Sequence, residues 1–135
     1  MLRAVVDTNI LFEGLTKVGA CSGVVDAWVA QEFVPCVSTA LALEYEEVLT
    51  NKLGPAKRQH AVGALQALFK RAEWVAIYRR LRPLSGDPDD DFVLECAFNG
   101  RAVVVTRNRK DLKVGEEVLG LHVWSPERFL EELRR

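Results

Sequence analysis

The stretch DPDDDFVLECAFNGRAVVVTRN, residues 87–108, contains a helix, a stop and a strand in direct succession. Val93, Leu94 and Ala97 recur at helical spacing, Gly100 can end the helix, and AVVVT at 102–106 is a short β-branched run. A strand that is apolar at every position is buried on both faces, which is the condition of a parallel sheet covered by helices. Polar residues follow at once, in VTRNRKDL. In open parallel sheets ligands bind beyond the carboxyl ends of the strands, where the strand order reverses, so these residues are the first functional candidates.

Working outward, similar runs occur as AVV at 4–6, FVPCV at 33–37, WVAIY at 74–78 and LHVW at 121–124. Amphipathic stretches lie near 9–17, 21–31, 38–53, 56–72, 89–99 and 126–134. This alternation predicts a three-layer α/β/α sandwich with a central parallel sheet. Gly54-Pro55 suits a helix start, and Ser125-Pro126 reads as an N-cap followed by proline at the first helical position. No linker, repeat or low-complexity segment interrupts the pattern, and 135 residues with 49% hydrophobic content can fill one sizeable core. One domain over residues 1–135 is expected.

With 18 basic and 19 acidic residues the net charge excludes a strongly polyanion-seeking protein and a disordered one. A balanced total still allows an acidic pocket ringed by arginine and lysine. Cys21, Cys36 and Cys96 are odd in number and form no CxxC pair, so buried free thiols in a reducing compartment are expected rather than disulfides or zinc. The first residues lack a secretion signal, and no apolar run approaches the roughly 20 residues that span a bilayer. No membrane association and a cytoplasmic location are expected.

Four groups of acids stand out. Asp7-Thr8-Asn9 closes the first strand, where a helix cap and a ligand are both reasonable roles. In the helix from Ser38, Leu41, Tyr45, Val48 and Leu49 make the apolar stripe, with Glu44 on its flank and Glu46 and Glu47 pointing further out. Asp87, Asp89, Asp90 and Asp91 crowd the start of the next helix. The helix dipole accounts for one or two of them but not readily for four. Relative to Val93, Leu94 and Ala97, Asp89 and Asp90 lie on the flanks and Asp91 projects away, so helical geometry does not choose between the first two. After the fourth strand come Thr106, Asn108 and Asp111, interleaved with Arg107, Arg109 and Lys110. Solvated charges in a polar loop are the plain alternative; a metal-facing acid among phosphate-attracting cations is the functional one. Hard oxygen donors without histidine or thiolate suit Mg²⁺ or Mn²⁺ rather than zinc.

Together VVDTNIL, VSTALALEYEEVL, DPDDDFVLECAFNGRAVVVTRN and VWSPERFLEEL resemble the PIN-domain proteins, most closely those that serve as toxins of toxin–antitoxin systems. The resemblance implies a Mg²⁺- or Mn²⁺-dependent endoribonuclease. Asp7, Glu44 and Asp90 match its first three acidic positions, and Asp90 is preferred to Asp89 on that ground. At the last position many members carry Asp two residues after the threonine; here Asn108 stands there, and Asp111 fits the variant TRNxxD, so either one faces the metal. Thr8, Asn9 and Thr106 would support the ligands, and Arg107, Arg109 and Lys110 would meet the RNA backbone. The resemblance also implies a homodimer and an antitoxin partner; Leu43, Leu65, Leu68 and Phe69 are apolar positions that could serve such contacts or simply fill the core.

Other classes drop out. His60 and His122 lie in no catalytic motif, which disfavours a histidine-pair ribonuclease. Asn9 stands where a haloacid-dehalogenase-like phosphatase needs its second Asp. There is no GxxxxGK[ST] or GxGxxG, and WVAIYRRL lacks the aspartate of a receiver domain. The remaining alternative is a catalytically inactive PIN-like module that binds RNA or a protein.

Overall fold

The computed structural model describes residues 1–135. Its strands are β1 (Arg3–Val6), β2 (Val34–Val37), β3 (Glu73–Trp74), β4 (Val103–Val105) and β5 (Val123–Trp124), all parallel, in the order β3-β2-β1-β4-β5. The helices are α1 (Thr8–Thr16), α2 (Ala20–Val29), α3 (Thr39–Lys52), α4 (Pro55–Lys70), α5 (Pro88–Gly100), α6 (Lys113–Glu117) and α7 (Pro126–Leu133). The expected parallel-sheet sandwich is therefore present. Right-handed crossovers require β1-to-β2 and β3-to-β4 connections, which run in opposite directions across the sheet, to use opposite faces. Helix α5 accordingly packs on β1, β2 and β4, while α2 packs on α1 and α7.

Local chemistry sets the helix ends as expected. Ser38 Oγ accepts from Leu41 N–H at 3.2 Å, Ser125 Oγ accepts from Arg128 N–H at 3.1 Å, and Pro55 follows Gly54 at the start of α4. Gly100 differs in role. Helix α5 runs through it, and the left-handed cap is Arg101, at φ 53°. Gly100 is small because of contact: a Cβ there would meet a Val75 methyl at 3.0 Å.

One hydrophobic core joins the layers. Phe33 sits edge-on to Phe129 at 4.9 Å and to Trp28 at 6.3 Å, and Trp28 Nε1–H donates to the Leu68 carbonyl at 2.9 Å, tying α2 to α4. Full burial of one such side chain stabilises by roughly 1.5–3 kcal/mol. The three cysteines are buried and free, and no helix is long and apolar enough to cross a membrane.

Two departures have physical reasons. The strand expected at 74–78 stops at Trp74, with one further bond from Val75 N–H to the Val37 carbonyl. Beyond it the Tyr78 and Arg79 N–H groups bond the Asn99 side chain at 3.0 and 2.9 Å instead of a neighbouring strand. Helix α6 carries no sequence signature, because five residues are too few to display a period.

Candidate active site

Strand order reverses between β1 and β4, and Val6 pairs with Val105, so the residues just beyond them share one crevice. Asp7 occupies the N-cap position of α1, yet its carboxylate makes no cap bond. It is buried and accepts the Thr106 hydroxyl at 2.6 Å. The Thr106 oxygen in turn accepts Asn108 N–H at 2.9 Å, and Asn108 Nδ2–H donates to Asp111 at 2.7 Å. A carboxylate only accepts, which fixes the amide orientation. Asp7 and Asp111 are thus joined through Thr106 and Asn108, with Asp7 buried and Asp111 exposed.

Glu44 is half-buried and is brought to this end of the sheet by α3. Ser38 caps that helix, and the adjacent Tyr45, buried, donates its hydroxyl to the Val6 carbonyl, one residue before Asp7. Periodicity identified Tyr45 as core; its hydroxyl's partner carries no sequence signal. Thr8 is buried beside Asp7, and Asn9 is exposed.

At the start of α5, Asp87 accepts from Asp89 N–H at 2.9 Å and caps the helix, which leaves Asp90 half-buried and Asp89 exposed. Burial, then the charges of Asp7, Asp87, Asp111 and Asp89, push the Asp90 carboxyl up to about 6. Burial, then the neighbouring Asp89, raise Glu44 to about 7. Asp7 is also raised, chiefly by burial and against the stabilising bonds from Thr106 and Thr8. Asp90 therefore senses Asp7, Asp87 and Asp111, and the acid that raises Glu44 most is Asp89, which also acts on Asp90. As the side chains lie, no group of three or more is arranged to hold a metal ion.

Asp91 corrects an expectation. It does not project outward but is 3% exposed, accepting Ser85 N–H and Ser85 Oγ–H at 2.7 Å each and Leu84 N–H at 3.3 Å. One turn on, buried Glu95 accepts from Leu81 N–H at 2.9 Å and from Arg82 at 3.0 Å, and Asn99 holds Tyr78 and Arg79. These side chains share one face of α5 and clamp the 78–85 segment that leads into Asp87. The i, i+4, i+8 row is visible in the sequence, but a polar row on an amphipathic helix reads as the solvent face.

The basic residues are mostly engaged. Arg107 forms a two-pronged pair with Glu127 at 2.9 and 2.8 Å, and Arg109 forms one with Glu116 at 2.9 and 3.0 Å. Lys110 is exposed. Of the apolar positions considered for contacts, Leu65 and Leu68 are core, Phe69 is half-buried, and Leu43 is 60% exposed. A separate groove of about 550 Å³ is lined by Phe12 and Leu15 of α1, by Leu53, and by Ala56, His60 and Ala61 of α4.

In sequence, residues 3–110 match the PIN domain family. No curated protein matches the chain. Among solved structures, PAE2754 from Pyrobaculum aerophilum is similar at 16% identity and TM-score 0.66, covering 98% of this chain and 90% of that one. VapBC2 from Rickettsia felis, solved bound to a DNA fragment from their promoter, is 14% identical with TM-score 0.65 over 92% of this chain and 98% of that one. FitAcB from Neisseria gonorrhoeae is 15% identical with TM-score 0.63, over 92% and 98%. At such identities these likenesses speak for the fold, and the family match over most of the chain supplies the rest: this chain belongs to the PIN domain family.

Proposed function

We propose that the protein is a Mg²⁺- or Mn²⁺-dependent endoribonuclease, the toxin of a toxin–antitoxin pair. The observation that supports this best is the facing pair Asp7 and Asp90 at the switch point of the sheet, with Asp111 tied to Asp7 through Thr106 and Asn108, and with Asp7 and Asp90 raised chiefly by burial; Glu44, raised by burial and by Asp89, stands on the neighbouring helix. Acids that repel one another in a partly buried crevice gain from a shared cation. Asp7, Glu44, Asp90 and Asp111 offer only hard oxygen donors, which fit these two metals. Bound there, the metal would supply hydroxide near neutral pH and offset charge on the phosphodiester. The Thr106 hydroxyl and the Thr8 backbone hold Asp7; Asn108 orients Asp111, giving the two residues of the TRNxxD pattern complementary roles, ligand and support. Asn9 stands exposed at the rim.

Lys110 meets the RNA backbone directly, and Arg107 and Arg109 meet it by exchanging Glu127 and Glu116 for phosphate. The groove lined by Phe12, Leu15 and Leu53 seats an apolar antitoxin segment, and exposed Leu43 serves a homodimer contact. The rival reading is an inactive RNA- or protein-binding module. Incubating the purified protein with a panel of RNAs in Mg²⁺, Mn²⁺ or EDTA separates the two. Metal-dependent cleavage that Asp7→Asn removes, in a folded variant, is the expected result. The Asp7 carboxylate makes no cap bond, so asparagine removes charge rather than a cap; wild-type cleavage by that variant would contradict the assignment, and no cleavage under any metal would favour the inactive module.

A further inference from the structure

Beside the acidic crevice, at the carboxyl ends of β4 and β5, lies a cleft of about 570 Å³. Thr106, Arg107, Arg109, His122, Trp124 and Arg128 line it, with Glu116 as the acid among them. The His122 and Trp124 rings stand 5.6 Å apart and tilted by 32°, and the Arg128 guanidinium lies over the Trp124 ring at 5.2 Å. His122 and Arg128 are exposed and Trp124 is half-buried, so the His122 ring and a cation lying over the Trp124 ring face solvent together. Arg128 uses Nε to bond Glu132 at 3.0 Å, while its two terminal nitrogens make no hydrogen bond. Arg109 likewise uses only Nε and one terminal nitrogen on Glu116. Donors therefore remain for a ligand.

We infer that this cleft is a nucleotide subsite, in which one base of single-stranded RNA packs against His122 and Trp124 while Arg128 and Arg109 hold its phosphate. This rests on reading the chain as a ribonuclease. Aromatic rings interleaved with arginine are the surface on which bases stack without regard to sequence, since every base has a π-face. Position argues for the same occupant. Thr106 both lines the cleft and donates its hydroxyl to Asp7, and its N–H bonds the Trp124 carbonyl at 2.9 Å. One residue thus joins the platform to the acidic crevice, about one strand spacing, ~4.8 Å, from β5 to β4. A strand of RNA seated in the cleft is led into the carboxylates.

The test is equilibrium binding in EDTA, where cleavage plays no part, of a short oligoribonucleotide and of its abasic counterpart of equal length. Wild-type protein is expected to prefer the oligoribonucleotide by about tenfold, the scale of one stacked base. That preference should fall to near unity in His122→Ala and Trp124→Leu, and Arg128→Ala should weaken both ligands. His122 and Arg128 are exposed, so their variants keep the test decisive if Trp124→Leu fails to fold. Equal affinity for the two ligands in the wild type, or an undiminished preference in His122→Ala, would overturn the subsite, as would binding of a protein segment in the cleft that RNA does not displace. Mn²⁺-dependent melting of the same proteins reads the metal proposal separately. Base-dependent binding without a Mn²⁺ response would keep the subsite and remove the nuclease reading.

Discussion

Asp90 and Asp91 are neighbours in the first turn of α5, yet they sit in opposite chemical settings. Asp91 is the more buried, and with Glu95 it is surrounded by donors: the N–H groups of Leu81, Leu84 and Ser85, the Ser85 hydroxyl and the Arg82 guanidinium. Asp90 has no such donors, and burial first, then the charges of Asp7, Asp87 and Asp111, raises it to about 6. Burial alone therefore does not mark a functional acid. A buried carboxylate given backbone donors is satisfied and builds structure, whereas one half-buried without donors and beside other carboxylates holds its proton and has a use for a cation.

The largest effect separates these two faces by activity. Asp90→Asn should lower RNA cleavage by orders of magnitude, about 10²-fold or more, with a normal melting transition. Asp91→Asn should keep cleavage per folded molecule close to wild type. Equal losses in the two variants would erase the distinction.

Stability should show the reverse order. Glu95→Ala leaves the Arg82 guanidinium and Leu81 N–H without their acceptor in a partly buried setting, at a cost of about 1–3 kcal/mol in urea unfolding. A loss within a few tenths of a kcal/mol would mean that the clamp on residues 78–85 contributes little.

The pH dependence of metal-free protein sharpens the comparison further. Glu44 and Asp90 bind protons more tightly folded than unfolded, so their contribution is fully present below their ordinary values of 4.5 and 3.8 and is lost as pH rises towards about 7 and about 6. In EDTA the melting temperature should fall between about pH 4 and 7. Glu44→Gln should flatten that decline; an unchanged slope would remove Glu44 from the cluster.

The smallest effect concerns the basic residues. Replacing Arg107, Arg109 and Lys110 together with alanine should weaken RNA binding across sequences and reduce its salt dependence, and an unaltered salt slope would take them off the binding surface. Because Arg107 and Arg109 already grip Glu127 and Glu116, the change is expected to be less than three free cations would give.

The sheet was legible in the sequence because doubly buried parallel strands are uniformly apolar, and the positions of Asp7 and Thr106 just beyond it were legible because each follows such a run; helical spacing put Glu44 beside its stripe but left Asp89 and Asp90 equal, and only the family resemblance prefers Asp90. What periodicity could not reveal is where polar atoms find partners. The Tyr45 hydroxyl bonds Val6, Asn99 takes the donors that would have extended β3, and Asp91 turns inward to Ser85. Each depends on a tertiary neighbour distant in sequence or on a loop whose path no local rule sets. The cleft at His122 and Trp124 was missed for the same reason: neither residue forms a motif until β5 brings them beside Thr106.

The most direct test of the central claim is the melting temperature as a function of Mn²⁺ for wild type, Asp90→Asn and Glu95→Gln. If the repelled acids form the metal site and the satisfied ones do not, the wild type and Glu95→Gln should both rise with Mn²⁺ by mass action, from different baselines, while Asp90→Asn loses most of the response. A wild type unmoved by saturating Mn²⁺, or an Asp90→Asn variant that rises as the wild type does, would contradict it.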